Sequence, residues 1–208
     1  MEEKDRKRLY SPKPGKPEIL DVPAMNYIMV DGEGNPETSQ QFQDVMQGLY
    51  GLAYTLKFAL KKADPARDFR VGPLEGLWWM DDMREFSLET KGSWKWTVMI
   101  PLPDHVTAAE VASAKEAVNS KKGADVAGGV RFETFKEGLS AQIMHIGPYA
   151  AEASTIQTLH AFIRESGFVF AGKHHEIYMG DPRTAAPEKL KTVIRQPVAK
   201  ARTAGRLR

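Results

Sequence analysis

The stretch EIYMGD (residues 176–181) lies without a gap over LWWMDD (residues 77–82), and the segments flanking the two recur in the same order. Ahead of LWWMDD come the alternating run AMNYIMVDGEGNP (24–36) and a long amphipathic segment; ahead of EIYMGD come GLSAQIMHIG (138–147) and a shorter one. Behind them follow SWKWTVMIPLP (93–103) and KLKTVIRQPV (189–198), with VDG (30–32) over HIG (145–147) and TVMI (97–100) over TVIR (192–195). Matches this short arise by chance, so the shared order of strand, helix, strand, strand is what identifies an internal repeat. A unit of this kind cannot cover its own apolar face, and two copies are expected to pair about a pseudo-two-fold axis. The expected fold class is α+β: two pseudo-symmetric β-α-β-β repeats forming a mainly antiparallel sheet, with helices on one face and a ligand groove between the repeats.

Periodicity places the helices. Thr38 and Gln41 read as a capping box ahead of a helix over 39–62, whose core stripe is Phe42, Val45, Met46, Leu49, Leu52, Ala53, Leu56 and Leu60. Tyr50, Tyr54 and Phe58 form an aromatic edge beside it. Thr107 and Glu110 cap a connector helix over 107–121, and a helix over 150–166 turns Ile156, Leu159, Phe162 and Ile163 to one side before Gly167. The expected organisation is a mobile segment over 1–18, a first repeat over 19–104, a linker helix over 105–124, a second repeat over 125–199 and a basic tail over 200–208.

Composition narrows the function. With 29 Lys+Arg against 27 Asp+Glu, no overall field recruits nucleic acid or an acidic membrane. The polar start MEEKDRKRLYSPKPGKP lacks the apolar core of a signal peptide, and no apolar run reaches bilayer length, so a cytoplasmic location is expected. The chain has no cysteine, which removes disulfides, zinc–thiolate sites and thiol nucleophiles together. Its basic last ten residues read as a solvated terminus.

Within HHEIYMGDP (174–182), alternation turns Glu176 and Tyr178 to one face of a strand and Ile177 and Met179 to the other. The gap-free match pairs Tyr178 with Trp79 and turns Trp78 the opposite way, toward a helix. Repeats that pair near these strands would bring Trp79 and Tyr178 to one cavity with Glu176 at its floor. An acid ringed by aromatic side chains is costly to bury without a partner. Two functional roles suit it: a counter-charge for a ligand whose apolar body stacks on Trp79 and Tyr178, or a general acid/base with a raised pKa. The structural alternative is a surface-facing Glu176 on an edge strand, paired with Lys173 or Lys191.

The order of elements, HIGPY (145–149) between strand and helix, and HEIYMGDP (175–182) with its Glu-x-Tyr and trailing Asp-Pro resemble the GyrI-like small-molecule-binding family over roughly residues 19–199. That family includes the effector domains of multidrug-responsive transcription activators. The resemblance implies a concave groove for diverse, often cationic, lipophilic compounds with a central glutamate, here Glu176, beside Tyr178. A helix-turn-helix does not fit ahead of the first strand, so a stand-alone member is expected. EGLWW (75–79) and the 107–121 helix resemble a subgroup that hydrolyses cyclopropanoid DNA-alkylating natural products. For such a reaction the resemblance implies Glu176 activating water, Tyr178 donating toward the dienone oxygen and Trp79 stacking on the flat body.

Other residues carry less. Of the four tryptophans, Trp94 and Trp96 share a strand face and read as core. Tyr149, after Gly147 and Pro148, packs across its turn or lines the groove, and Tyr54 on the helix edge is a further ligand-binding candidate. His174 and His175 are adjacent and face opposite ways, and His145 and His160 have no ligand at metal spacing, so no metal site and no cofactor are expected. No Gly-x-Ser-x-Gly elbow or glycine-rich phosphate loop is present, and GEG (32–34) is a turn. The expected partner is a small-molecule ligand, with no nucleic acid, no membrane, and a monomer or homodimer. Three readings stand: a sequestering binder of lipophilic compounds, a hydrolase acting on them, and a protein-interaction module of gyrase-inhibitor type.

Overall fold

In chain order the elements are α1 (Glu3–Tyr10), β1 (Glu18–Glu33), α2 (Gln40–Ala63), β2 (Leu74–Trp79), β3 (Lys95–Leu102), α3 (Ala108–Lys122), β4 (Arg131–Ile146), α4 (Glu152–Glu165), β5 (Phe168–Phe170), β6 (His174–Tyr178) and β7 (Lys191–Lys200). They come from a computed structural model that describes residues 3–83, 88–122 and 127–201. The fold is α+β with antiparallel strand pairing. Two compact units are present, a continuous one over Ala24–Lys136 and a discontinuous one joining Met1–Pro23 to Glu137–Arg208. The unit boundaries fall inside β1 and β4, each of which extends beyond the alternating run that predicts it.

In the continuous unit β3 pairs with β1 and β2, setting Ile28 opposite Ile100, Gly32 opposite Trp96, and Trp78 opposite Trp96. Directly opposed residues share a face, and Phe42 of α2 lies with its ring 6.1 Å from Trp78 and 5.0 Å from Trp96. That is therefore the face α2 covers. Leu49, Leu52, Ala53, Leu56 and Leu60 are buried along the helical stripe that the sequence predicts. Each large aliphatic among them contributes about 1.5–3 kcal/mol by leaving water. A Cβ on Gly32 would meet the Trp96 ring at 2.1 Å, so the indole reaches its place only because that residue has no side chain. The cap of α2 is Ser39, whose Oγ accepts from the Phe42 N–H at 3.2 Å, one residue beyond the predicted Thr38. The Thr107–Glu110 box forms as predicted, with the Thr107 N–H donating to Glu110 Oε2 at 2.9 Å, and Arg67 adds a forked ion pair to the same carboxylate.

In the discontinuous unit β7 is paired by β4, β6 and the three-residue β5, which the sequence reading does not contain. Leu159 and Ile163 of α4 pack on Ala141, Ile143, Ile194 and Val198, which defines the helix-covered face. On the opposite face Arg195 and Gln142, a cross-strand pair, hold the end of α1: Arg195 Nη2 donates to the Leu9 carbonyl at 2.7 Å and Gln142 Nε2 to the Arg8 carbonyl at 2.9 Å. Leu9 and Tyr10 are buried there. The segment expected to be mobile over 1–18 thus contains a docked helix, because two apolar side chains and two carbonyl acceptors at its end find partners that a charge-rich sequence does not advertise. Residues 202–208 of the basic tail lie outside the described residues. Among those described, no helix is long and apolar enough to cross a membrane.

Candidate functional site

Alternation along β6 puts His174, Glu176 and Tyr178 on one face. Glu176 opposes Ile194 and Tyr178 opposes Thr192, so this is the face that α4 covers. The Tyr178 hydroxyl donates to Glu176 Oε2 at 2.6 Å, and His174 Nε2 lies 3.1 Å from Oε1. A carboxylate only accepts, so His174 Nε2 carries the hydrogen. The Glu176 and His174 side chains are 16% and 6% exposed. Burial pushes the Glu176 carboxyl up, but the His174 and Tyr178 hydrogen bonds and the electrostatic pull of His174 and His175 outweigh it and hold the group below its ordinary value. Glu176 is ionised at neutral pH. A solvent-facing acid paired with lysine does not fit this geometry, since the side chain is largely buried and both oxygens are engaged within the strand, and the carboxyl is shifted down and not up.

Tyr149 is brought to the same place by the turn between β4 and α4. Gly147 has φ +136°, a conformation side-chain-bearing residues rarely adopt, and its N–H donates to the Leu190 carbonyl at 3.0 Å. His145 braces the turn, with Nε2 3.3 Å from the Pro148 carbonyl and Nδ1 2.8 Å from Thr155 Oγ1 of α4. Because that carbonyl only accepts, Nε2 carries the hydrogen there. The Tyr149 ring then meets Tyr178 edge-on at 5.4 Å and remains 37% exposed, a phenol wall beside the carboxylate.

The strand's other face is also charged. His175 Nδ1 lies 3.0 Å from Glu137 Oε1, and Arg195 Nη1 lies 3.0 Å from Glu137 Oε2, with all three side chains no more than 2% exposed. Burial pushes Glu137 up, but the charges and hydrogen bonds of His175 and Arg195 bring it down to about 2. This ionic cluster fixes the back of the strand whose front carries Glu176.

The gap-free overlay of the repeats does not survive at side-chain level. Trp78, as expected, turns toward a helix, but that is the face equivalent to the one on which Glu176 and Tyr178 stand. Trp79 opposes Lys95 on the face of β2 away from α2, so Tyr178 and Trp79 are not structural counterparts. The TVMI and TVIR match inverts in the same way: Thr192 lies on the α4 side, whereas Thr97 points away from α2. Trp79 shares its face with Glu75, a fully buried carboxylate that accepts from the Tyr27 hydroxyl at 3.3 Å and that the sequence reading passed over. Trp94 and Trp96 are core, as expected, with Trp94 5.7 Å from Trp78. Tyr54 is 47% exposed and stacks on Phe58 at 6.3 Å along the outside of α2. Glu176, Tyr178 and Tyr149 are thus brought together, while Trp79 and Tyr54 belong to the continuous unit.

His174 is the site residue that sequence reasoning missed. Its signal is the H-x-E-x-Y spacing, which on a strand aligns all three side chains. Behind it, His160 of α4 is pushed down to about 4, first by burial and then by His174 and Arg164. What this arrangement offers is a desolvated, ionised carboxylate with two hydrogen-bond donors fixed on it and two phenol rings beside it.

Residues 15–199 match the GyrI-like small molecule binding domain. The chain belongs to the GyrI-like family. None of the curated proteins matches it. Among solved structures, an uncharacterized conserved protein from Listeria innocua is 41% identical with a TM-score of 0.87, the match covering 94% of this chain and 98% of that one. A hydrolase from Listeria innocua is 40% identical with a TM-score of 0.81 over 94% and 98% of the two chains. The EcmrR C-terminal domain, at 11% identity and a TM-score of 0.55, over 89% and 98%, shares the fold alone. The carboxylate, phenol and imidazole described above therefore stand inside the small-molecule-binding domain of a GyrI-like protein.

Proposed function

We propose that this GyrI-like protein binds lipophilic aromatic compounds, cations preferentially, against Glu176, Tyr178 and Tyr149, and that it hydrolyses cyclopropanoid alkylating agents there as a detoxifying enzyme. The single observation behind the first part is the ionised carboxylate of Glu176, buried beside two phenol rings, which offers charge to a cation and flat surface to its apolar body. The hydrolase from Listeria innocua, similar over nearly the whole chain, supports the second part.

Chemically, water oxygen bonds to the cyclopropane methylene while the ring C–C bond breaks, and that electron pair passes through the aromatising ring to the dienone oxygen. Tyr178 now donates to Glu176 Oε2. If its hydroxyl turns to the dienone oxygen, it supplies the phenol proton and frees Oε2 to take the proton lost by water; proton return from Glu176 to Tyr178 closes the cycle. No net charge or proton is left on the protein.

The test is incubation of the protein and its Glu176→Gln variant with an activated cyclopropane dienone, following product mass, beside titrations with a lipophilic dye cation. A water adduct formed by the wild type and lost in the variant is the expected result. Saturable dye binding without turnover reduces the function to sequestration, and neither binding nor turnover transfers it to a protein-interaction role.

A further inference from the structure

His174 has no part in the function as stated so far, yet it is the residue closest to controlling it. It is 96% buried, it shares the α4-covered face with Glu176 and Tyr178, and its Nε2 hydrogen lies against Glu176 Oε1 at 3.1 Å. Tyr178 holds the other carboxylate oxygen. The carboxylate therefore cannot rotate without breaking one of two bonds made by its own strand, and one of these comes from a ring that can gain a charge.

We propose that His174 is the specificity-determining positioning residue of this site: it fixes the Glu176 carboxylate, and its proton decides whether the site presents a net negative charge or a neutral ion pair. With a neutral imidazole the site holds one uncompensated negative charge and selects lipophilic cations. With an imidazolium the same carboxylate is already paired, the advantage of a cationic ligand is lost, and uncharged aromatic ligands compete on equal terms. The inference rests on the reading of Glu176 as the ligand's counter-charge.

The groups around the ring are basic on one side and acidic on the other. On its own strand it faces Glu176, and His175 lies across the strand within the Glu137–Arg195 cluster. From α4 it is approached by His160, which in turn has Arg164 beside it. His160, its ring 4.5 Å from Phe170, is pushed down by burial and by its two basic neighbours, while the His174 ring is the one that touches Glu176.

Affinities for tetraphenylphosphonium and for uncharged triphenylphosphine oxide, measured by calorimetry on the full chain at about pH 8 and about pH 5.5, bracket the range in which imidazoles gain their proton. The wild type is expected to lose about tenfold or more of its preference for the cation on acidification. In His174→Gln, which keeps an N–H donor but cannot charge, the preference is expected to stay at its alkaline level at both pH values. His174→Asn serves as a second variant should the glutamine fail to fold. A wild-type preference that does not move with pH, or a variant that retains the wild-type pH profile, overturns the role of His174 while leaving Glu176 in place. Equal cation binding by Glu176→Gln and wild type instead overturns the counter-charge reading and the inference with it.

Discussion

The Tyr178 hydroxyl donates to Glu176 Oε2 at 2.6 Å, and both residues come from one five-residue strand. The acid and its partner thus stand two residues apart on one side of the backbone, and their geometry is set by strand alternation and not by loop conformation. A site built this way is held as firmly as β6 itself, which is clamped on its other face by His175, Glu137 and Arg195.

Removing that hydroxyl isolates its effect. In Tyr178→Phe the ring and its contact with Tyr149 remain, while Glu176 loses one of the two bonds that offset burial, so its carboxyl shifts upward. Loss of one charge-assisted bond corresponds to about 1.5–3 kcal/mol, and it weakens cation binding only through the raised carboxyl, at the acid end of the range where the wild type is still charged. Carboxyl titration by carbon-13 NMR and dye binding on the same variant check the two effects together. An unchanged titration would separate Tyr178 from the charge state of Glu176.

The two adjacent tryptophans of β2 should behave oppositely. Trp78 is 3% exposed and packed against Phe42, Trp94 and Trp96, whereas Trp79 is half-buried on the other face. Trp78→Ala is expected to cost about 3–5 kcal/mol, in the range of fully buried aromatic truncations, and Trp79→Ala less. Denaturant melts of the two variants give the comparison directly, and a reversed order would contradict the face assignment.

That assignment also shows what could be read in advance and what could not. The helical stripe Leu49, Leu52, Leu56 and Leu60, the Thr107–Glu110 box, the repeated order of elements and the Glu176–Tyr178 pair were legible because each depends on spacing within one element. The choice between Trp78 and Trp79 depends on strand pairing register, where a shift of one residue inverts every side chain, and a six-residue match cannot fix it. Helix α1 was hidden for a different reason. Six of its eight residues are charged, and its docking rests on Leu9, Tyr10 and two backbone carbonyls whose partners, Arg195 and Gln142, lie far away in sequence. His174 stands two residues before Glu176, a spacing that aligns the two on a strand face, but a lone histidine does not by itself show that its ring donates to a carboxylate.

The buried cluster behind β6 predicts an acid limb in the stability profile. Glu137 is held at about 2 against an ordinary value of 4.5, with burial opposing and His175 and Arg195 favouring the charged form. A folded-state value below the unfolded one means that the unfolded chain binds the proton more readily, so the contribution is fully present above about pH 4.5 and is lost as pH falls toward 2. Glu137→Gln leaves Arg195 and His175 without their carboxylate in a site they fill completely, and removal of one partner from such a cluster costs about 3–5 kcal/mol. The variant should therefore melt lower at neutral pH, and the gap to wild type should close as both are acidified from about pH 5 to about pH 2. Urea unfolding of the two proteins across that range measures it. A gap that stays constant with pH would mean that Glu137 contributes through packing and not through its charge.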